Sequence, residues 1–293
     1  DTRLVRISNG GLTTIYDSPA SGPHIYDVKA QSEQFVVVEF GATTGTLSRI
    51  SPSGVRSQIY SPGAGKTPQA VGIDTDGGYI VYESDYTGSY QALVKLGSDG
   101  VVKKTYPLPR DSRGNGRVAV DTDGNYVVTQ AGDSPGSSFA RLLKVDRASG
   151  AVTTIYQFNK SDRPIGLAVD SQGNYVVGES GSNVLSKITK SGQRTILYQF
   201  AAGAGPHGVD IDAAGNYLVA EAGVKIISRI SAGGGVSSTT TAAPTTRDAW
   251  LAQPRLRATR FRSLSIWTPK PMDSRTGVWS ESVPNTPNTG RAL

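Results

Sequence analysis

Short apolar runs alternate with polar turns along this chain at a regular rhythm, and five segments share one arrangement. Each is an apolar run closing in Asp or a polar residue, a tight turn, and a second apolar run closing in Glu or Gln. They read VGIDTDGGYIVYE (Val71 to Glu83), VAVDTDGNYVVTQ (Val118 to Gln130), LAVDSQGNYVVGE (Leu167 to Glu179), VDIDAAGNYLVAE (Val209 to Glu221) and a worn copy, VKAQSEQFVVVE (Val28 to Glu39). After each comes a second hairpin, such as LSRISPSGVRSQIY or LSKITKSGQRTILY, so the unit holds four strands. The closing positions 39, 83, 130, 179 and 221 are spaced by 44, 47, 49 and 42 residues. That period with four strands predicts one propeller blade per repeat.

The opening residues LVRISNGGLTTIY (Leu4 to Tyr16) match only the outer hairpin of a unit. Half a blade, five blades and a C-terminal half-blade would make an all-β, six-bladed β-propeller whose ring is closed by strands from both ends. The competing layout is five blades plus a C-terminal appendage. The expected organisation is a single domain over 1–293, with the outer hairpin of the closing blade in 1–21, five repeats in 22–242 and a divergent tail in 243–293. Candidate closing strands are Ala258 to Trp267 and Gly277 to Ser282. Nothing in the tail repeats the VDxxGNYVV pattern, and all three Trp and the single Met lie there.

Composition agrees with many short strands: 35 Gly, 13 Tyr and abundant Val, Thr and Ser. With no cysteine, a disulfide framework, a thiolate metal site and a Cys nucleophile are excluded. Of the net charge of +6, the segment from Ala243 onward contributes +5, seven Arg and one Lys against two Asp and one Glu. The repeated body is therefore nearly neutral, which argues against a nucleic-acid groove. No apolar stretch is long enough to span a membrane. The start at Asp1 suggests a processed chain, secreted or periplasmic, although no signal is visible; a monomer is expected.

In such a blade the start of the first strand and the end of the second meet at one mouth of the central channel. Glu39, Glu83, Gln130, Glu179 and Glu221 are thus expected on one rim. The two histidines open blades there, His24 fifteen residues before Glu39 and His207 fourteen before Glu221, while Gln69, Arg117 and Arg163 open the others. Carboxylates with two imidazoles make a candidate site for Mg²⁺, Zn²⁺ or Mn²⁺, and a neutral His could serve as general base. The rival reading is that the recurring polar residue caps a strand end or ties neighbouring blades together. Asp74-Thr-Asp76-Gly and Asp121-Thr-Asp123-Gly-Asn lack the ligand series of an EF-hand and read as hairpin turns. Tyr79, Tyr126, Tyr175 and Tyr217 read as packing residues.

The GNYVV strands and GPHGVDID resemble the NHL-repeat propellers, most closely the streptogramin (virginiamycin B) lyase-like group, over roughly Gly22 to Ser231. The resemblance implies His207 as the base of an elimination, with Glu221 helping to hold Mg²⁺. That family pattern also places a histidine and a glutamate where this chain has Ile165 and Gly205. Two functions are therefore carried forward. One is a metal-assisted lyase or lactone/ester-cleaving enzyme at the channel mouth, with His207 as base and Glu221, Glu179 and His24 as metal ligands. The other is a non-catalytic secreted binding propeller that recognises a glycan or a protein. For either, the ligand sits at the mouth, and Glu39, Glu83, Gln69, Arg117, Gln130 and Arg163 form its binding rim.

Overall fold

The computed structural model describes residues 3–8, 11–18, 22–41, 45–85, 88–110, 116–131, 139–241, 249–252 and 264–265. Five antiparallel four-stranded sheets follow one another around a ring. Blade one comprises His24–Gln31, Gln34–Phe40, Gly45–Ile50 and Arg56–Tyr60; blade two, Thr67–Ile73, Tyr79–Ser84, Gln91–Leu96 and Val102–Pro107. Blade three comprises Val118–Val120, Tyr126–Gln130, Ala140–Val145 and Val152–Phe158. Blade four holds Pro164–Val169, Tyr175–Glu179, Val184–Ile188 and Arg194–Gln199, and blade five Pro206–Ile211, Tyr217–Glu221, Ile226–Ile230 and Val236–Thr241. A single 3₁₀ turn, Lys160–Asp162, is the one helical element among the described residues.

Burial follows strand order within each blade. The second strands YIVYES, YVVTQ, YVVGE and YLVAE are buried at every position, because sheets from neighbouring blades cover both of their faces. Alternation is lost there for the same reason that it is lost in doubly covered sheets. The fourth strands are wetter: VKKTYP of blade two buries only Tyr106, and its lysines guard an exposed sheet edge.

The hairpin joining first and second strands carries a recurring Asp whose carboxylate organises the turn. Asp121 Oδ1 accepts from the backbone N of Asp123 and Asn125, and Asp212 Oδ1 from Ala214 and Asn216, all at 2.8–2.9 Å. In these Asp turns glycine supplies the positive φ, at Gly77, Gly124, Gly173 and Gly215 (80° to 83°); Asn125, Asn174 and Asn216, which follow the last three, donate to the Asp instead. Tyrosines then reach back one blade: Tyr126 Oη donates to Asp74 Oδ2 at 2.9 Å and Tyr79 Oη to Gln31 Oε1 at 3.1 Å. Lys95 sits between Asp74 and Asp76 at 2.5 and 2.6 Å, and Arg147 of the next blade contacts the same pair. These hydrogen bonds and ion pairs stitch the blades together at the tight-turn mouth.

Among the described residues the sixth sheet is mixed and not the antiparallel blade predicted from the repeat count. Arg3–Ser8 and Gly11–Asp17 make the expected outer hairpin, but Ala249–Ala252 lies parallel to Arg3–Ser8, with Leu4 opposite Ala249. Leu264–Ser265 completes this mixed sheet, which touches the first strands of blades one and five. The layout is thus five antiparallel blades with a C-terminal segment that joins the N-terminal hairpin. Of the expected closing strands, Ala258 to Trp267 includes the described strand Leu264–Ser265, and the rest of it and Gly277 to Ser282 lie outside the described residues.

Close backbone approach between blades four and five depends on glycine. A Cβ at Gly166 would stand 2.6 Å from Val209 Cγ2, 3.1 Å from the His207 carbonyl oxygen and 3.2 Å from the Gly178 nitrogen. Gly166→Ala is therefore expected to cost roughly 1–3 kcal/mol through overpacking, read as a lower urea midpoint with an unchanged m-value; an unchanged midpoint would mean that the seam relaxes freely.

Candidate functional site

Strand register shows which residues share a position at the mouth. Ile25, Pro68, Pro164 and Pro206 face Glu39, Glu83, Glu179 and Glu221, and in each of these four blades the next residue bulges out of the ladder. The bulged residues are Tyr26, Gln69, Ile165 and His207. A β-bulge re-aims one side chain while the strand continues, so these four form a set. His24 is not a member: it stands one residue before Ile25, opposite Phe40, at the position of Gly205 in blade five. The match expected between the two histidines fails because blade one turns through two residues, Gln31 pairing with Gln34, whereas blade five turns through five, Ile211 pairing with Tyr217. Arg163 stands with Gly205, both at positive φ (50° and 56°), and Arg117 lies beyond the bulge position, its carbonyl accepting from Thr129 N at 3.0 Å.

The rim side chains stand at the ends of their strands as expected but are buried: Glu39, Gln130 and Glu179 are wholly inaccessible, Glu83 1% and Glu221 7% exposed. Their side chains engage the third and fourth strands of their own blade. Arg194 holds Glu179 with Nε on Oε1 at 2.9 Å and Nη2 on Oε2 at 2.7 Å, and Ser182 and Ser186 donate to the same carboxylate. Arg56 holds Glu39 the same way at 2.9–3.0 Å. Gln130 takes Arg141 Nε on Oε1 at 2.5 Å and donates to Gln91 Oε1 at 2.7 Å, and Glu221 accepts from Ser228. Bidentate guanidinium contacts of this kind are strong and directional. The signal in the sequence was an Arg fifteen or seventeen residues after the Glu.

This arrangement does not fit the proposed metal site. Both oxygens of Glu179 are committed to Arg194, His24 and His207 occupy different positions in their blades, and among the described residues no three of His, Cys, Asp or Glu stand close enough to share an ion. His207 itself is 7% exposed and sits in the blade-five bulge, within a strand that Gly166 and Gly178 of blade four approach closely.

Arg117 reaches past blade two. Its Nη2 donates to the Tyr26 carbonyl at 3.2 Å and its Nε lies 3.6 Å from Asp27 Oδ1, while Asp27 Oδ2 accepts from Val71 N at 3.0 Å. Three first strands are thereby joined by one buried ion pair, Arg117 being 8% and Asp27 2% exposed. Arg117 ties the inner strands together.

Two mouth residues escaped the sequence reading. Tyr90 and Phe139 each stand two residues before the partner of the closing Glu or Gln, since Glu83 faces Ala92 and Gln130 faces Arg141. They are equivalent positions in adjacent blades. Each ring carries a cation over its face, Lys66 Nζ 4.1 Å from the Tyr90 centroid and the Arg141 guanidinium 4.8 Å from that of Phe139. Phe139 is 43% exposed. An aromatic directly before the third strand, in SYQALV and SFARLL, was the available sign.

No family model matches the chain, and no curated protein matches it in sequence. Solved structures do share its fold. A catalytically inactive variant of virginiamycin B lyase from Staphylococcus aureus with quinupristin aligns at a TM-score of 0.63 and 16% identity, over 85% of this chain and 86% of that one. A chain from the nidogen/laminin complex aligns at 0.63 and 15%, covering 79% and 84%. A structure described as a putative gluconolactonase aligns at 0.53 and 13%, covering 73% and 76%. The likeness is one of fold: a propeller architecture of the virginiamycin B lyase type.

Removing one partner of a buried ion pair strands the other, so Glu179→Ala is expected to cost roughly 3 kcal/mol. Glu221→Ala, which gives up a hydrogen bond to Ser228, should cost roughly 1 kcal/mol. Denaturant unfolding of the two variants measures the difference; equal losses would show that the Arg194 pair contributes nothing beyond a neutral hydrogen bond.

Proposed function

We propose that this propeller is a binding protein acting outside the cytoplasm, with a glycan-recognising surface on the loop-bearing mouth over blades two and three. The observation that carries this reading is the pair of equivalent rings, Tyr90 and Phe139, each backed by a cation. Flat aromatic faces present a large apolar area with little conformational freedom to lose, and they suit the apolar faces of sugar rings. The surrounding loops add hydrogen-bonding groups: exposed Arg110 and Lys160, and half-buried Arg163. The rim carboxylates, by contrast, are consumed inside the blades. A propeller of similar fold occurs in the nidogen/laminin complex, which keeps a protein ligand open as the form of the partner.

A second reading rests on His207. Lyases are among the structures of similar fold, and a histidine in a bulge at the mouth could act as a metal-free general base. The readings separate on two variants. Glycan-array binding and calorimetry with the best oligosaccharide should show at least a tenfold loss in Phe139→Ala and little change in His207→Ala. Turnover of lactone, ester or streptogramin substrates abolished by His207→Ala alone would instead establish the enzyme.

A further inference from the structure

Blade two lacks the arginine that holds the closing glutamate in blades one and four. In blades one and four the fourth-strand residue paired with the end of the third strand is an arginine, Arg56 opposite Ile50 and Arg194 opposite Ile188. The same position in blade two is Val102, opposite Leu96, and it points 46% of its surface to solvent. Glu83 therefore has no guanidinium, although it is as buried as its counterparts at 1% exposure. Its Oε1 is buried with no hydrogen-bond partner, and Oε2 accepts from Tyr90 Oη at a long 3.3 Å. The groups that face it are Tyr60, from the last strand of blade one; Tyr90, from the loop before the third strand of blade two; and Lys66, from the linker between the blades. Lys66 is the one cation among them, and its ammonium rests on the Tyr90 ring.

We propose that the seam between blades one and two is a proton-operated latch: protonated Glu83 lets the segments carrying Lys66 and Tyr90 close over it, and ionised Glu83 drives them apart. A carboxylic acid can be buried beside the phenols of Tyr60 and Tyr90 at small cost, whereas a carboxylate in the same place lacks the guanidinium that Glu39 and Glu179 receive. The cheapest response to ionisation is local: the seam opens and water enters along the linker to solvate the carboxylate. Burial raises the Glu83 carboxyl above the ordinary glutamate value, the phenols and Lys66 opposing that rise. Tyr90 is pushed up to about 12, first by burial and then by Glu83. This inference stands on the seam itself and does not depend on which ligand the mouth takes, although it would make any ligand contact through Tyr90 sensitive to pH.

The sign follows from proton linkage. Below the unfolded value of 4.5 both states hold the proton and the site costs nothing through charge. As pH rises above it the unfolded chain ionises while the folded carboxyl keeps its proton, so stability falls until the folded carboxyl itself ionises. Glutamine carries no such charge. In thermal melts of the full chain from pH 4.5 to 8, the Tm of Glu83→Gln minus that of wild type should grow by on the order of 2–4 °C per pH unit across this window, then level off. A difference that stays constant with pH would overturn the latch. Hydrogen exchange of wild type supplies a measurement that needs no variant: after correction for intrinsic rates, residues 61–66 and 88–91 should exchange several-fold faster at pH 8 than at pH 5, with the seam between blades three and four, where Arg194 holds Glu179, unchanged. Equal pH response at both seams would likewise overturn it.

Discussion

Burial of the second strand on both faces is the constraint from which the rest of this molecule follows. Each of these strands is sandwiched between neighbouring blades, so a polar group at its end cannot be left to solvent and must be satisfied by the protein. Blades one and four meet the requirement with an arginine from the fourth strand, blade three by substituting glutamine for glutamate and drawing Arg141 from the third strand, and blade five with a serine. Carboxylates that would make an acidic rim are thereby converted into internal fasteners.

The two mouths consequently differ in kind. One is built from Asp-organised turns, with tyrosines and basic side chains of successive blades bonded to the same carboxylates. It is ordered by interactions repeated around the ring, and it has little freedom left for recognition. The other carries the longer connections between blades and the aromatic pair Tyr90 and Phe139. Loops on a rigid frame are where binding groups can be varied without disturbing the core. Blade two is where the two economies meet, since its buried Glu83 has a loop lysine and two phenols for company instead of an internal arginine.

Much of the architecture was readable in advance because it repeats. The Asp-x-x-Gly-Asn turn has a local cause, a carboxylate reaching backbone amides two and four residues on, so the hairpins, their order and the packing role of the tyrosines all followed from short windows of sequence. The supposed equivalence of His24 and His207 failed for a reason that counting cannot detect. Both first strands bulge, but blade one has the shorter turn, and the two distances to Glu39 and Glu221 come out nearly alike while the positions differ. The C-terminal segment gave no repeat to count, and its pairing with the N-terminal hairpin runs in the direction opposite to that of a regular blade.

What the sequence determined by itself was the local grammar: four strands per unit, where they turn, and which runs are buried on both faces. These depend on backbone geometry and hydrophobic pattern over fewer than twenty residues. Only the tertiary structure decided that Glu179 is held by Arg194, that Arg117 crosses to Asp27 over the intervening blade, and that Tyr90 and Phe139 form a set. Each of those outcomes turns on side-chain direction and on distances of a few ångströms between strands far apart in the chain, quantities that residue type and spacing do not encode.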